Sequence, residues 1–131
     1  MYASSLLRDP AATYRQIDVA GRAATADGPA LVQLLYEELV AALRAAAHAT
    51  EHAHYAVKSD RVTRATAILF ALEAGLDFDN GGQVSATLAR LYAGARRTVL
   101  DAAMGQDPAP FRDTAATLAD IASAWATARA A

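Results

Sequence analysis

The chain has 131 residues, of which 54% are hydrophobic and 20% charged, and its formal net charge is −2. This composition is that of one globular domain, and the lack of a basic block argues against nucleic acid as the main partner. Without cysteine there are no disulfides or thiolate sites, and no apolar run resembles a signal peptide or a membrane span, so we expect a cytoplasmic protein.

Alanine is the unusual feature, at 36 of 131 residues. It is the best helix former and loses no side-chain entropy on ordering, but it buries little area. Glycine and proline clusters separate stretches of helical periodicity, and none of these stretches shows strict alternation. We therefore predict an all-α fold, an antiparallel four-helix bundle with a short additional N-terminal helix. The predicted helices span residues 10–20, 29–57, 61–76, 82–104 and 109–129.

We predict a single domain over residues 1–131, with a mobile N-terminal segment at 1–28 and the bundle at 29–129. The short N-terminal helix is joined to the bundle by the glycine-containing link "AGRAATADGP". Chain termini of this kind are usually loosely held unless other elements tie them down.

The first long helix is predicted to continue through "HATEH" and to end at residue 57, before a break at "KSD". Stepping about 100° per residue collects an apolar stripe over nearly half of its circumference. The stripe consists of Leu31, Val32, Leu35, Tyr36, Leu39, Val40 and Leu43. Leu34 falls outside it, on a side that carries alanines.

The other long helices each carry one apolar stripe that predicts core packing. These stripes contain Ala65, Ile68, Leu69, Leu72 and Leu76; Val84, Leu88, Leu91, Tyr92, Ala95 and Val99; and Phe111, Leu118, Ile121, Ala122 and Trp125. Phe70 and Leu100 point away from their stripes, each on an alanine-lined side. Together with Leu34, they predict grooves that an apolar helix of a partner could fill.

The "HATEH" segment has the His-x-x-Glu-His pattern of some zinc proteases, with His48 and His52 on one helix face. A catalytic zinc needs a third protein ligand inside a cleft, and the alanine-rich flanks offer no such cleft. "DFDNGGQ" lacks the glutamate that a calcium loop requires, so it is interpreted as a turn with Asp79 or Asn80 capping the next helix. We predict no catalytic, cofactor or metal site.

The stretch "AILFALEAGLDFDNGGQVSATLARLYAGARRTVLDA" resembles the FliS family of flagellar export chaperones. The family carries an Ile-Ile-x-x-Leu-x-x-x-Leu-Asp segment, then Gly-Gly, then Asn-Leu-x-x-Leu-Tyr. The matching residues here are Ile68, Leu69, Leu72, Leu76, Asp77, Gly81, Gly82, Thr87, Leu88, Leu91 and Tyr92, with Thr87 in place of Asn. "YRQIDV", "LVQLLYEEL" and "LADIASAW" resemble further family segments, so the resemblance covers about residues 12 to 128.

The resemblance implies a cytoplasmic chaperone that binds the disordered C-terminal segment of flagellin and prevents its premature polymerisation. It also admits components of the flagellar export gate as partners, and we expect a monomer or weak homodimer with no membrane contact. The predicted partner-binding residues are Tyr14, Ile17, Leu34, Leu35, Tyr36, Ile68, Phe70, Leu72 and Leu100. Two alternatives are a helix-binding chaperone for a different secretion client and a zinc-dependent enzyme using "HATEH".

Overall fold

The computed structural model describes residues 28–130, and within this range it contains four α-helices and no strand. The helices are α1 (Gly28–Glu51), α2 (Tyr55–Ala74), α3 (Phe78–Ala103) and α4 (Ala109–Ala130). The predicted all-α fold class is therefore confirmed. The predicted N-terminal helix and its link lie outside the described residues, and the single-domain organisation stays a prediction.

Contacts between α2 and α3 show that these two helices run in opposite directions. Lys58, near the start of α2, donates a hydrogen bond to the carbonyl of Gly105, just after α3. Glu73, at the end of α2, instead pairs with Arg96 within α3. These two contacts fix α2 and α3 as an antiparallel hairpin, which is the hairpin that short connections favour.

The first and last helices are antiparallel as well. The carboxylate of Glu51, the last residue of α1, pairs with Arg112 near the start of α4 at 2.5 Å. Tyr36, in the first half of α1, packs its ring against Trp125 toward the end of α4, with 4.8 Å between centroids. All four helices thus contribute to one bundle over Leu35–Ala131, which forms a compact unit.

The core consists of one apolar face from each helix, as the periodicity predicts. Its largest fully buried side chains are Tyr36, Leu39, Leu43, Leu69, Tyr92, Val99, Phe111 and Leu118. One residue of the predicted stripes differs: Val84 is 66% exposed. Periodicity predicts the direction of a side chain but not how far the neighbouring helices extend, and Val84 lies only two residues after a break in α3 at Gly82.

The break between α1 and α2 lies at residues 52–54, and the predicted break at "KSD" is wrong. Ala53 adopts a positive φ of 54°, the left-handed conformation that ends many helices. The amide of His54 then donates to the carbonyl of Ala49 at 2.8 Å, and that of Ala53 to Thr50 at 3.3 Å. Because alanine occupies the position where glycine is usual, the sequence carries no stop signal here.

The N-terminus of α3, in the turn after α2, is capped by a residue other than those predicted. The Asp77 carboxylate accepts a hydrogen bond from the Asn80 amide at 3.1 Å, so Asp77 is the N-cap in place of Asp79 or Asn80. Hydrogen bonds from the side chain and backbone of Asn80 lower the pKa of Asp77. Gly82 has φ 50° and ψ −120°, a left-handed conformation that glycine adopts without the strain of a Cβ atom.

Candidate partner-binding surface

Phe70 lies on the outer side of α2, where 58% of the side chain is exposed. The guanidinium of Arg96 on α3 lies over its ring, with 4.2 Å between Cζ and the ring centroid. Arg96 also donates to both carboxylate oxygens of Glu73, at 3.1 and 3.3 Å. The cation is therefore held over one face of the ring, and the remainder of the ring is available for contact.

Leu100 and Met104 continue this apolar surface along α3, with 52% and 89% of their side chains exposed. Leu100 follows Arg96 by four residues, and Met104 follows Leu100 by four, so the three side chains lie on one side of the helix about one turn apart. Because α2 runs in the opposite direction, Leu100 lies opposite the turn of α2 that precedes Phe70 and contains Ala67. We name the surface formed by Phe70, Ala67, Leu100 and Met104 the α2–α3 face.

A groove of about 320 Å³ opens at the Met104 end of the α2–α3 face. Tyr55 forms part of its wall with 59% of its side chain exposed, and Val62 and Lys58 contribute buried side chains. The Lys58 ammonium donates to Gly105 at 2.6 Å and lies 6.0 Å from the centroid of the Phe111 ring. The buried Lys58 side chain thus holds the segment that follows α3 against the start of α2, and this contact stabilises the side of the groove that both form.

The face and groove together suit a helical partner. From Tyr55 to Phe70 the surface follows 16 residues of α2, and the distance between these two residues along the helix is about 22 Å at 1.5 Å per residue. An occupying helix of about four turns would fit this length. Its apolar stripe would cover the large side chains of this surface that are now exposed to water, namely Tyr55, Phe70, Leu100 and Met104.

The predicted partner-binding residues fall into four sets: exposed, half-buried, buried, and outside the described residues. Phe70 and Leu100 are exposed, as expected, whereas Leu34 is only half-buried and not fully on the surface, and Leu35 is also half-buried. Three residues are buried in the core, namely Tyr36 at 0%, Ile68 at 3% and Leu72 at 4% exposure. Two residues, Tyr14 and Ile17, lie outside the described residues.

Tyr36, Ile68 and Leu72 are buried, as their positions in the predicted core stripes indicate, so they are not available on the surface in this conformation. They contribute to the core of the bundle. The apolar stripes that resemble the family segments are thus the same stripes that pack against the neighbouring helices. Direct contact between these three residues and a partner stays a prediction.

Some residues of this surface were not predicted from the sequence. Met104 follows Leu100 by four residues, a spacing that could have identified it. Tyr55 was missed because it was placed inside the first long helix, whereas it is the first residue of α2. The positions of Arg96 and Glu73 depend on how α2 and α3 pair, and no local pattern indicates this pairing.

The "HATEH" residues lie at the C-terminal end of α1, where the His48 and His52 rings stack with 4.1 Å between centroids. Arg112 donates a hydrogen bond to the carboxylate of Glu51, which lies between them in sequence. This hydrogen bond and the charge of Arg112 lower the pKa of the Glu51 carboxyl group. Among residues 28–130 no group of three or more His, Cys, Asp or Glu side chains is placed to hold a metal ion. No helix in that range is long and apolar enough to span a membrane.

Comparisons with known proteins agree on one family. The family model described as flagellar protein FliS matches residues 10–131. The flagellar secretion chaperone FliS of Salmonella typhimurium is 28% identical over 95% of this chain and 90% of its own length. The flagellar secretion chaperone FliSB of Pseudomonas aeruginosa is 26% identical over 95% of this chain and 96% of its own. A FliS of Vibrio cholerae is 24% identical over 91% of this chain and 88% of its own.

Proposed function

This chain belongs to the FliS family of flagellar proteins, and from that premise we propose that it is an export chaperone for flagellin. In this proposal it binds the disordered C-terminal segment of flagellin in the cytoplasm and prevents premature polymerisation. The relatives from Salmonella typhimurium and Pseudomonas aeruginosa are named flagellar secretion chaperones, which supports a chaperone role. The observation that supports the proposed location of the binding site is the exposed α2–α3 face.

The α2–α3 face has the chemistry that a chaperone of a helix-forming segment needs. Phe70, Leu100 and Met104 offer apolar contact, and the Arg96–Glu73 pair beside them offers polar contact at the margin. An amphipathic segment that folds on this surface gains apolar burial but loses conformational entropy. The net affinity therefore depends on how much apolar area the few large side chains bury.

The bundle beneath the face is suited to hold it in a fixed shape. Ile68, Leu69 and Leu72 are buried on the inner side of the same helix that carries Phe70 outward. Because the inner and outer sides of α2 are separate in this way, a substitution on the outer side changes binding without opening the core. This separation makes the proposal directly testable.

The test is titration of the protein with a peptide of the flagellin C-terminal segment, together with thermal melting of each variant. Phe70→Asp and Leu100→Asp should melt within a few degrees of wild type, since exposed substitutions usually stay within about 0.5 kcal/mol. Both should weaken peptide binding, because an apolar helix would face an ion that it cannot satisfy. Leu34→Asp, at a half-buried position, is expected to lose some stability as well.

Two control variants separate an effect on binding from an effect on folding or on surface charge in general. Leu72→Ala should lower the free energy of unfolding by about 2 to 5 kcal/mol, because it truncates a buried side chain. Ala116→Asp, at an exposed position of α4, should change neither melting nor binding. Absence of binding by the wild-type protein would refute the flagellin client, and unchanged binding by both α2–α3 variants would place the client elsewhere on the bundle.

A further inference from the structure

Lys58 on α2 holds a positive charge at a buried position without a counter-ion. The residue is only 6% exposed, and its ammonium donates one hydrogen bond, to the carbonyl of Gly105 at 2.6 Å. The Phe111 ring lies 6.0 Å away, and no carboxylate forms an ion pair with Lys58 in the described part of the chain. Because an ammonium has three donors, two of them have no acceptor among the described residues. Buried charges are normally paired, so this lysine indicates a place for an anion.

Both partners of this hydrogen bond line the groove of about 320 Å³ at the Met104 end of the α2–α3 face. The rest of the lining combines apolar side chains with polar ones that have no side-chain hydrogen bond within residues 28–130. The apolar ones are Tyr55, Val62 and Met104, and the polar ones are Ser59, Thr63 and Gln106. One small groove thus brings together a cation, apolar contact area and hydroxyl and amide groups, which is the usual make-up of a ligand site.

We propose that this groove binds a carboxylate that is attached next to an apolar group, as at the C-terminus of a polypeptide with an aliphatic last residue. The carboxylate pairs with the Lys58 ammonium, and the last side chain packs on Tyr55 and Met104. The peptide groups before it accept or donate hydrogen bonds at Thr63 and Gln106. This site goes beyond the chaperone function, because any chain end of this chemistry meets its requirements.

A terminal residue suits the groove better than an acidic side chain does. It carries a carboxylate and an apolar side chain on the same carbon atom, so one residue supplies both the charge and the apolar contact. Aspartate and glutamate carry the carboxylate without an apolar group beside it. A free amino acid is excluded by its own ammonium group, which Lys58 would repel. The ligand therefore has its amino nitrogen in an amide bond, as the last residue of a chain does.

The first experiment titrates the protein with the acetylated tripeptide Ala-Ala-Leu as a free acid and follows it by heteronuclear NMR. The amide signals of Gly105 and Gln106 should shift, with a dissociation constant on the order of 1 mM or tighter. The same peptide with a C-terminal amide should bind about fivefold more weakly or less, because it lacks the charge. Equal affinity for the acid and the amide would overturn the proposal. An acetylated Ala-Glu-Ala amide that binds as well as the acid would show that a side chain is the source of the carboxylate, and the terminal assignment would be wrong.

The second experiment changes the charge of the groove. Lys58→Met keeps most of the length of the side chain but removes the cation, and it should abolish the preference for the acid over the amide. Arg44→Met is its matched control, since it removes a cation from an exposed position on α1 and should leave this preference unchanged.

Met104 gives a test that does not depend on the hydrogen bond between Lys58 and Gly105, because 89% of Met104 is exposed. Met104→Glu should weaken binding of the acid several-fold and Met104→Lys should strengthen it several-fold, with smaller effects at high salt. Thermal melting of each variant confirms that the fold is kept. An affinity that does not respond to the charge at this position would place the peptide elsewhere and overturn the proposal.

The outcomes separate this proposal from the chaperone function. If the wild-type protein binds the flagellin C-terminal peptide but not the tripeptide acid, the carboxylate site is refuted and the chaperone function stands. If it binds the tripeptide acid with the expected dependence on Lys58 and Met104 but does not bind the flagellin peptide, the flagellin client is wrong and the carboxylate site stands.

Discussion

The hydroxyl groups of Tyr36 on α1 and Tyr92 on α3 are hydrogen-bonded to each other at 2.7 Å inside the bundle. Their side chains are 0% and 1% exposed, and the rings meet edge to face with 6.3 Å between centroids. Trp125 of α4 also packs against the Tyr36 ring, with 4.8 Å between centroids. Two polar groups thus satisfy each other in an apolar core and connect α1 to α3.

Removing one hydroxyl should cost more than removing both. Tyr36→Phe leaves the Tyr92 hydroxyl buried without a partner, a penalty of about 1 to 3 kcal/mol. The double variant Tyr36→Phe/Tyr92→Phe removes both groups and should be less destabilised than Tyr36→Phe alone, and therefore less than the sum of the single variants. Urea denaturation of the four proteins measures this coupling. Additive single effects would contradict the hydrogen bond as described.

The tyrosine pair also predicts loss of stability in alkaline solution. Burial raises the pKa of Tyr36, and the hydrogen bond with Tyr92 raises it further; burial raises the pKa of Tyr92 as well. Below about pH 10 both states keep the phenol protons, so this effect on stability is absent. Above that pH the unfolded chain ionises first, and the free energy of unfolding falls by up to about 1.4 kcal/mol per pH unit per tyrosine. The double phenylalanine variant should show a shallower decline in denaturation experiments between pH 9 and pH 11, at the same ionic strength.

Ala53→Gly should stabilise the protein. Ala53 has a positive φ of 54°, a conformation that costs a residue with a Cβ atom about 1 to 2 kcal/mol. Glycine removes this strain but gains entropy in the unfolded chain, so we expect a net gain of about 0.5 to 1 kcal/mol. Ala41→Gly, at an exposed position within α1, is the control and should destabilise by about 0.5 to 1 kcal/mol. A loss of stability in Ala53→Gly would contradict the left-handed conformation of Ala53 at the end of α1.

His48 and His52 are predicted to be dispensable. Their rings stack at the end of α1, and the carboxylate of Glu51 between them is engaged with Arg112. Replacing both histidines by alanine should leave thermal melting and peptide binding near the wild-type values, because exposed substitutions are usually within about 0.5 kcal/mol. Metal analysis completes the test: stoichiometric zinc in the native protein that disappears in the double variant would support a metal site instead.

Helical periodicity alone was enough to predict the fold class and the main core. The inward side of each helix repeats every three to four residues, so Leu39, Leu69 and Leu118 could be assigned to the interior without knowledge of their partners. The same reasoning identified Phe70 and Leu100 as outward-facing. These features depend on neighbours within one or two turns, which the sequence specifies directly.

Only the tertiary structure decided how the helices meet and where two of them end. The left-handed Ala53 that ends α1 has no glycine to announce it, and the placement of Arg96 over Phe70 depends on the register between α2 and α3. The same holds for the hydrogen bond between Tyr36 and Tyr92. Register and rotation are set by packing among all four helices at once. A local pattern therefore determined which side of each helix is buried, whereas the packed bundle determined which side chains meet.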